Sequence, residues 1–261
     1  MQEGVPLVLS HCPSGHLGLW SNNIDALSAA RPLVLWNCGG HGRSSVPKDA
    51  DSYGIRRSAT DLRALLDALG IERAHIGGLS MGGGISACFA ILFPERTQSL
   101  MVMDSNTAAG LEPSVSVRAS RQETLKAFKS ATSEGERQKL VEQFITDNPS
   151  YRIWHGDGLI RPPPDHRVYR SIAATAPHGL GGTVRCMLDS GFPVTRVGEM
   201  AMPTLVLAGA QDPGMKAVRI THEGIEQSQF KLIDDAGHLS NIDQPRDFDN
   251  AVLEFFEGAD A

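Results

Sequence analysis

The sequence predicts an α/β domain in which a mainly parallel sheet of about six strands is flanked by helices. Two observations lead to this prediction. Short, almost continuous apolar runs alternate with longer amphipathic stretches, and polar residues able to do chemistry directly follow several of the runs. The 261 residues, 41% of them hydrophobic and 21% charged, suffice for one large domain of this class.

Six apolar runs are predicted to be strands, because a strand buried on both faces has no polar side to alternate with. These runs are Pro6–Ser10, Pro32–Trp36, His75–Gly78, Ser99–Met103, Thr204–Ala208 and Phe230–Ile233. Apolar residues at helical spacing, together with glycine and proline boundaries, predict helices elsewhere. The predicted helices are Ser58–Leu69, Gly83–Phe93 and Pro245–Phe256.

Residues 110–202 break this alternation and contain no run typical of a central strand. Polar helical stretches, a proline run and a glycine-rich turn follow one another there: Gln122–Lys129, Glu134–Phe144, Pro162–Pro164 and Gly179–Gly182. We predict that 110–202 form a mostly helical cap inserted between two strands of the sheet. Residues 1–109 and 203–261 would then form the core.

Composition and charge argue against several classes of partner. A net charge of −6 provides no basic surface for nucleic acid and disfavours an anionic membrane. No apolar run approaches the roughly 20 residues of a membrane span, and Met1–Pro6 lacks the features of a signal peptide. The four cysteines are scattered, which predicts free thiols, no metal site and a cytoplasmic location. They are Cys12, Cys38, Cys88 and Cys186.

Ser80 lies in a Gly-x-Ser-x-Gly pattern between a predicted strand and a predicted helix. Gly78 and Gly82 let the strand and the helix pass close together, and the strained turn between them exposes the serine hydroxyl. This arrangement is the nucleophile elbow of α/β-hydrolases. A phosphate-binding turn is the alternative, but the glycine spacing of such turns is absent. Ser80 is therefore the predicted nucleophile.

Asp212 and His238 each follow one of the last two predicted strands. The resulting order Ser, Asp, His along the chain is the order of this fold. His238 is predicted to accept the Ser80 proton, and Asp212 to orient the ring and stabilise the imidazolium. Asp104, after an earlier strand, is the alternative acid. Otherwise it shapes the pocket or caps the entry of the chain into the cap.

With these residues in hand, the chain resembles the α/β-hydrolase superfamily along nearly its whole length outside the cap. Within that superfamily it is most similar to the 3-oxoadipate enol-lactonases. The stretches that carry the resemblance are Leu9–Pro13, Leu17–Trp20, Gly40–Ser44, Asp67–His75 and Ala236–Pro245. The resemblance implies a small lactone or ester substrate with a polar or anionic acyl group, and no cofactor. Many esterases and carbon–carbon bond hydrolases share these stretches.

The chain departs from the family pattern at three places. The usual antiparallel hairpin before the first strand is absent, so Pro32–Trp36 becomes a sheet edge. Such an edge predicts either a homodimer contact or a covering segment. The usual aspartate before the Gly-His-Gly turn is Asn37, and the usual His-Gly of the oxyanion loop is replaced by Ser10–Pro13.

The oxyanion loop matters because backbone N–H groups must point at the charge that develops on the substrate oxygen. Met81, directly after the nucleophile, is predicted to supply one N–H. Pro13 has none to give, so Cys12 is the predicted second donor. The alternative for Cys12 is a buried small hydrophobic residue.

The predicted function is hydrolysis of a small ester or lactone through an acyl-serine intermediate. Two alternatives stay open: a carbon–carbon bond hydrolase acting on a ring-cleavage product, and a ligand receptor that retains the triad. Trp20, Trp154, His155 and Arg161 are predicted to line or cover the pocket, with surface or packing roles open for each. For an anionic acyl group the candidate cations are Arg152, Arg161, Arg167 and Arg185, of which Arg161 is favoured because a proline run follows it.

Overall fold

The computed structural model describes residues 4–49, 52–105, 119, 122–124, 126–127, 130–176, 179–183 and 196–259. Strands β1 to β4 span Leu7–Ser10, Leu33–Leu35, Ala74–Leu79 and Thr97–Met103. Strands β5 to β8 span Ile153–His155, Gly158–Ile160, Thr204–Gly209 and Ser228–Ile233. Helices α1 to α4 span Ile24–Ala30, Ile55–Ala68, Met81–Leu92 and Glu134–Asp147. Helices α5 to α8 span Arg167–Ala174, Met215–Gly224, Ser240–Asp243 and Pro245–Ala259.

The main sheet contains six parallel strands in the order β2-β1-β3-β4-β7-β8. Each apolar run predicted to be a strand forms one of them, so the predicted fold class is confirmed. Strands β1, β3 and β7 are completely buried and β4 almost so, whereas the edge strands β2 and β8 are partly exposed. This burial explains why the central runs are continuously apolar.

Three helices pack where the sequence predicted helices. Helix α2 buries Leu62 and Leu66 against the sheet, and α8 buries Phe248 and Phe255. Helix α3 is buried over nearly its whole length and begins at Met81, two residues before the predicted start. The earlier start places the first turn of α3 directly after Ser80.

Strand β2 lies at one edge of the sheet, as we predicted for Pro32–Trp36. Its residues Leu33–Leu35 are partly exposed, and within the described ranges no strand pairs with its outer side. The contact of this edge with a second copy of the chain stays a prediction.

The region between β4 and β7 contains α4, α5 and a two-stranded antiparallel sheet of β5 and β6. We did not predict this hairpin, which turns at Gly156 with a φ of 64°. The predicted helix over Gln122–Lys129 is only partly within the described residues, and 122–124 and 126–127 are helical. Arg185 and Cys186 lie outside the described residues. Of the helices that the structure describes, none is long and apolar enough to cross a bilayer.

Candidate active site

Ser80 lies in the sharp turn between β3 and α3, with backbone angles φ 58° and ψ −114°. Glycine is required at the two flanking positions because other backbone segments approach them too closely for a side chain. A Cβ on Gly78 would lie 2.3 Å from the Gly82 carbonyl group, and a Cβ on Gly82 would lie 2.2 Å from the Ser10 carbonyl oxygen. The Ser80 N–H donates to the Met103 carbonyl at 2.8 Å. The structure therefore holds this serine in a conformation that side chains rarely adopt.

We expect Gly82→Ala to lower the free energy of unfolding by about 1–3 kcal/mol and to reduce activity, because the added methyl has only backbone atoms to displace. Gly135→Ala is the matched control, since a Cβ at Gly135 meets no atom within 4 Å. Chemical denaturation of both variants measures the difference. Equal stabilities would contradict the close approach at Gly82.

A chain of hydrogen bonds joins Ser80, His238 and Asp212. His238 Nε2 lies 2.7 Å from Ser80 Oγ, and His238 Nδ1 lies 2.9 Å from Asp212 Oδ2. Because a carboxylate only accepts, Nδ1 carries the ring proton and Nε2 is free to accept the Ser80 hydroxyl. The other Asp212 oxygen, Oδ1, accepts the Gly214 N–H at 2.6 Å. The arrangement can draw a proton from Ser80 when its oxygen attacks an electrophile.

Charge coupling shifts the pKa values of the acid and the base in opposite directions. Burial alone lowers the pKa of His238, but the charge and the hydrogen bond of Asp212 outweigh burial, so the pKa is raised above 6.5. Burial alone raises the pKa of Asp212, but the attraction of His238 and the hydrogen bonds outweigh it, so this pKa is lowered. The carboxylate is therefore ionised when the imidazolium forms.

We expect kcat/KM to fall at low pH with an acid limb above pH 6.5, because only the neutral His238 ring accepts a proton and its pKa is raised above 6.5. Activity should drop about tenfold per pH unit below that limb. A pH–rate profile with an activated ester, with thermal unfolding followed at each pH, measures the position of the limb. A limb below pH 6.5 would contradict the coupling of His238 to Asp212.

Asp104 makes its hydrogen bonds to groups other than the His238 ring. Its Oδ1 accepts the Gly209 N–H at 2.8 Å, and its Oδ2 accepts the Ser240 N–H at 3.0 Å and the Ser240 hydroxyl at 2.5 Å. Burial and the nearby charge of Asp212 raise the pKa of Asp104 to about 7. Asp104 thus ties the end of β7 to the residues after His238. The chain directly after Ser105 lies outside the described residues, and the predicted roles of Asp104 in shaping the pocket or capping the entry into the cap stay predictions.

Met81 and Cys12, the predicted oxyanion donors, lie on two segments in contact with each other. Met81 is the first residue of α3, where backbone N–H groups have no intrahelical partner. Gly82 packs directly against the Ser10 carbonyl of the loop that carries Cys12. In the part of the chain that the structure describes, the Cys12 N–H donates to no backbone carbonyl of another residue. Both N–H groups are therefore available to a ligand oxygen.

His11 helps to shape the same loop. Its Nε2 accepts the Cys38 N–H at 3.0 Å, so its Nδ1 carries the proton and donates to the Cys12 carbonyl at 2.8 Å. Burial, reinforced by the nearby His41, lowers the pKa of His11 to about 3, so the ring is neutral. Burial raises the pKa of the Cys12 thiol to about 12, which keeps it protonated.

Asn37, which replaces the aspartate of the family pattern, organises the neighbouring turn. Its Oδ1 accepts the Leu17 N–H at 2.9 Å, and its carbonyl accepts the Ser44 hydroxyl at 2.7 Å. The amide side chain thus retains an acceptor at this position.

The four residues predicted to line the pocket lie in different environments. Trp20 is buried in the core beside Phe248, with ring centroids 6.1 Å apart. Trp154 is half-buried in β5, whereas His155 and Arg161 are exposed. Within the described structure, no hydrogen bond or ring contact joins these side chains to Ser80 or His238, and their role in binding stays a prediction.

The other candidate cations differ in their contacts. Arg152 is exposed, and Arg167 donates to the Ser21 hydroxyl at 2.8 Å. Arg185 lies outside the described residues. Within the described ranges, no group of three or more His, Cys, Asp or Glu side chains has the arrangement of a metal site.

Sequence reasoning missed Asp243, which joins the hairpin to the loop of His238. Its Oδ1 accepts the Trp154 N–H at 2.9 Å, and its Oδ2 accepts the Gly237 N–H at 2.8 Å. One signal could have pointed to Asp243: it lies in Ala236–Pro245, a stretch that carries the family resemblance and that we did not examine residue by residue. Asp243 therefore fixes the residue before the catalytic candidate His238.

Comparison with known proteins assigns the family. The family model described as the alpha/beta hydrolase fold matches residues 5–245. The chain belongs to the α/β hydrolase fold family. It is 28% identical over 253 residues to 3-oxoadipate enol-lactonase 2 of Acinetobacter baylyi, a match that covers 94% of this chain and 86% of that protein.

Other α/β hydrolases match nearly the whole chain. The 2-hydroxy-6-oxononadienedioate/2-hydroxy-6-oxononatrienedioate hydrolase of Paraburkholderia xenovorans is 27% identical over 262 residues, which cover 97% of this chain and 87% of that protein. The solved structure of a hydrolase from Pseudomonas aeruginosa superposes with a TM-score of 0.79 at 27% identity, covering 98% of this chain and 91% of that one. The predicted resemblance to the enol-lactonases is thus confirmed at the level of the family and its relatives.

Proposed function

We propose that this α/β hydrolase is a serine hydrolase that cleaves a small ester or lactone through an acyl-serine intermediate. One observation carries the proposal: the continuous hydrogen-bonded chain from Ser80 Oγ through the His238 ring to the Asp212 carboxylate, with both distances under 3 Å. The order and tautomer in this chain are those that activate a serine hydroxyl.

In the acylation step Ser80 Oγ attacks the substrate carbonyl carbon while His238 Nε2 takes the hydroxyl proton. The new C–O bond converts the carbonyl to a tetrahedral oxyanion. The N–H groups of Met81 and Cys12 donate to that oxygen. When the intermediate collapses, the bond to the alcohol oxygen breaks and the imidazolium returns its proton to that oxygen. For a lactone the alcohol remains tethered to the acyl group.

In the deacylation step the same groups act on water. His238 Nε2 takes a proton from a water molecule, whose oxygen attacks the acyl carbon. Collapse of the second tetrahedral intermediate releases the carboxylic acid and returns the proton to Ser80 Oγ. Asp212 balances the charge of the imidazolium in both steps.

The substrate class is proposed from the relatives. An enol-lactonase is among the proteins most similar to this chain, which supports a lactone or ester. The similarity to a hydrolase of 2-hydroxy-6-oxononadienedioate supports a second candidate, a carbon–carbon bond hydrolase that uses the same three residues. A receptor that retains the triad differs from both in having negligible turnover.

Three further assignments belong to this proposal. Residues 110–202 form the cap over the site. Trp20, Trp154, His155 and Arg161 contribute to the pocket or its cover, with Arg161 as the cation for an anionic acyl group. The burial of Cys12, Cys38 and Cys88 is consistent with a cytoplasmic location.

We expect a carboxylated lactone to be hydrolysed with a higher kcat/KM than its neutral analogue, and Arg161→Ala to remove most of that preference because it removes the paired cation. Arg170→Ala, which removes an exposed arginine of helix α5 that is not among the candidate cations, is the matched control. Steady-state kinetics on both lactones and on an activated ester give the answer. Negligible turnover of all three would favour the receptor. A preference that survives in Arg161→Ala would reject Arg161 alone.

A further inference from the structure

The loop that carries Cys12 makes a tight turn over Cys12–Gly15. The Gly15 N–H donates to the Cys12 carbonyl at 3.0 Å, and Ser14 has a φ of 54°. Proline at the second position and a left-handed residue at the third form the pattern of a type II turn. Glycine is the favoured residue at the third position, so Ser14 adopts its conformation against its own preference.

Four hydroxyl-bearing side chains from another part of the chain hold this turn. Tyr151 donates its hydroxyl to the Pro13 carbonyl at 3.3 Å, and Ser171 donates to the Ser14 carbonyl at 3.0 Å. Thr175 shares its single hydroxyl proton between the Ser171 carbonyl at 2.9 Å and the Ser14 carbonyl at 3.2 Å. The Ser14 N–H donates to Thr183 Oγ1 at 3.3 Å. We call Tyr151, Ser171, Thr175 and Thr183 the hydroxyl clasp.

The clasp contacts both ends of the central peptide group of the turn. The carbonyl of that peptide belongs to Pro13 and is held by Tyr151, and its N–H belongs to Ser14 and is held by Thr183. Type I and type II turns differ by a flip of this peptide. A flip would break both bonds, so the clasp selects the type II form that Ser14 alone disfavours.

His41 sets the direction of the bond at Thr183. His41 Nδ1 lies 3.0 Å from the Gly39 carbonyl, which only accepts, so Nδ1 carries the ring proton. Nε2 therefore accepts the Thr183 hydroxyl at 2.9 Å, and the Thr183 oxygen is left to accept the Ser14 N–H. His41 and Thr183 are both buried, which shields these bonds from water.

We propose that the hydroxyl clasp is a positioning device that aims the Cys12 N–H at the substrate oxygen by locking the turn in its type II form. The inference rests on the proposed function, since it concerns the second oxyanion donor. If the inference holds, the residues of the clasp, which lie between 151 and 183, position a catalytic group in addition to covering the site.

The test is the double variant Tyr151→Phe with Thr183→Val, which removes two hydroxyl groups with little change in shape. We expect kcat to fall about ten- to a hundredfold while KM changes less than about twofold, because the lost alignment acts on the transition state. The affinity for a boronic acid, whose tetrahedral adduct occupies the oxyanion position, should fall in parallel. Thr146→Val is the matched control, because the Thr146 hydroxyl donates within its own helix.

Ser14→Gly supplies the rescue. Glycine adopts the left-handed conformation without strain, and the Ser14 hydroxyl has no hydrogen-bond partner among the described residues that the substitution would remove. Adding Ser14→Gly to the double variant should bring kcat to within about threefold of Ser14→Gly alone. A clasp that only stabilises the fold would lower the thermal midpoint and show no such rescue. If the double variant does not fold, Tyr151→Phe alone, with and without Ser14→Gly, carries the comparison.

Labelling of Ser80 with an organophosphonate separates this inference from the proposed function. If Ser80 of the unsubstituted protein takes no label, the proposed function fails and the inference with it. If Ser80 takes the label but the folded double variant retains its kcat, or Ser14→Gly gives no rescue, the inference alone is overturned.

Discussion

Ser80→Ala and His238→Ala are each expected to lower kcat by on the order of 10⁴-fold or more, because nucleophile and base act as one unit and neither retains much function alone. The fold should persist in Ser80→Ala, since the side chain of Ser80 is hydrogen-bonded only to His238 among the described residues. Steady-state hydrolysis of an activated ester, with circular dichroism to check folding, measures the loss.

Ser86→Ala is the matched control for the serine. Ser86 is buried in the same helix that follows the nucleophile, and its hydroxyl has no hydrogen-bond partner in the described structure. Removing it should change kcat little. Full activity in Ser80→Ala would exclude the assignment of the nucleophile.

Asp212→Asn is expected to lower kcat by on the order of 10³- to 10⁴-fold, because the amide disturbs the tautomer of His238. Both Asp212 oxygens accept hydrogen bonds, one from His238 and the other from Gly214. In either orientation of an asparagine side chain, its NH₂ group would face one of these two donors, the His238 Nδ1–H or the Gly214 N–H. The variant should retain the fold and lose catalysis.

Asp104→Asn is the matched comparison, because it makes the same chemical change in a buried carboxylate that touches Gly209 and Ser240 instead of the ring. We expect a lower thermal midpoint and a loss of kcat about a hundredfold smaller than that of Asp212→Asn. Kinetics and thermal unfolding of the two variants show which aspartate acts as the catalytic acid partner of His238. The reverse ranking would make Asp104 the acid.

The central sheet and the elbow were predictable because local patterns determine them. Strands such as β3 and β7 are buried on both faces, which leaves an uninterrupted apolar signature. The glycine at 78 is required by a contact within the turn itself, and the glycine at 82 by the Ser10 carbonyl at the end of the neighbouring strand β1. The positions of Asp212 and His238 followed from strand ends that meet at one edge of a parallel sheet.

The hairpin β5–β6 left too weak a pattern to predict. Each strand has three residues, too few for alternation to rise above chance, and the neighbouring proline run dominated our interpretation. The contact of Trp20 with Phe248 from the last helix was not predictable either. Packing between distant segments has no local signature.

The hydroxyl clasp was beyond sequence reasoning for the same reason. Its bonds join residues separated by 138 to 169 positions, such as Tyr151 with Pro13 and Thr183 with Ser14. Serine, threonine and tyrosine hydroxyl groups are common on surfaces, so nothing in the sequence marks these four. Only the position of Ser14, after a proline in a turn where glycine is favoured, hints that the turn needs support.

The most direct test of the central claim is to treat the protein with an organophosphonate ester and to map the adduct by mass spectrometry. A serine activated by His238 and Asp212 should form a single phosphonyl adduct on Ser80, in proportion to the loss of esterase activity. His238→Ala should slow that labelling by several orders of magnitude. An adduct on any other residue, or no adduct while hydrolysis continues, would contradict the assignment of Ser80 as the nucleophile.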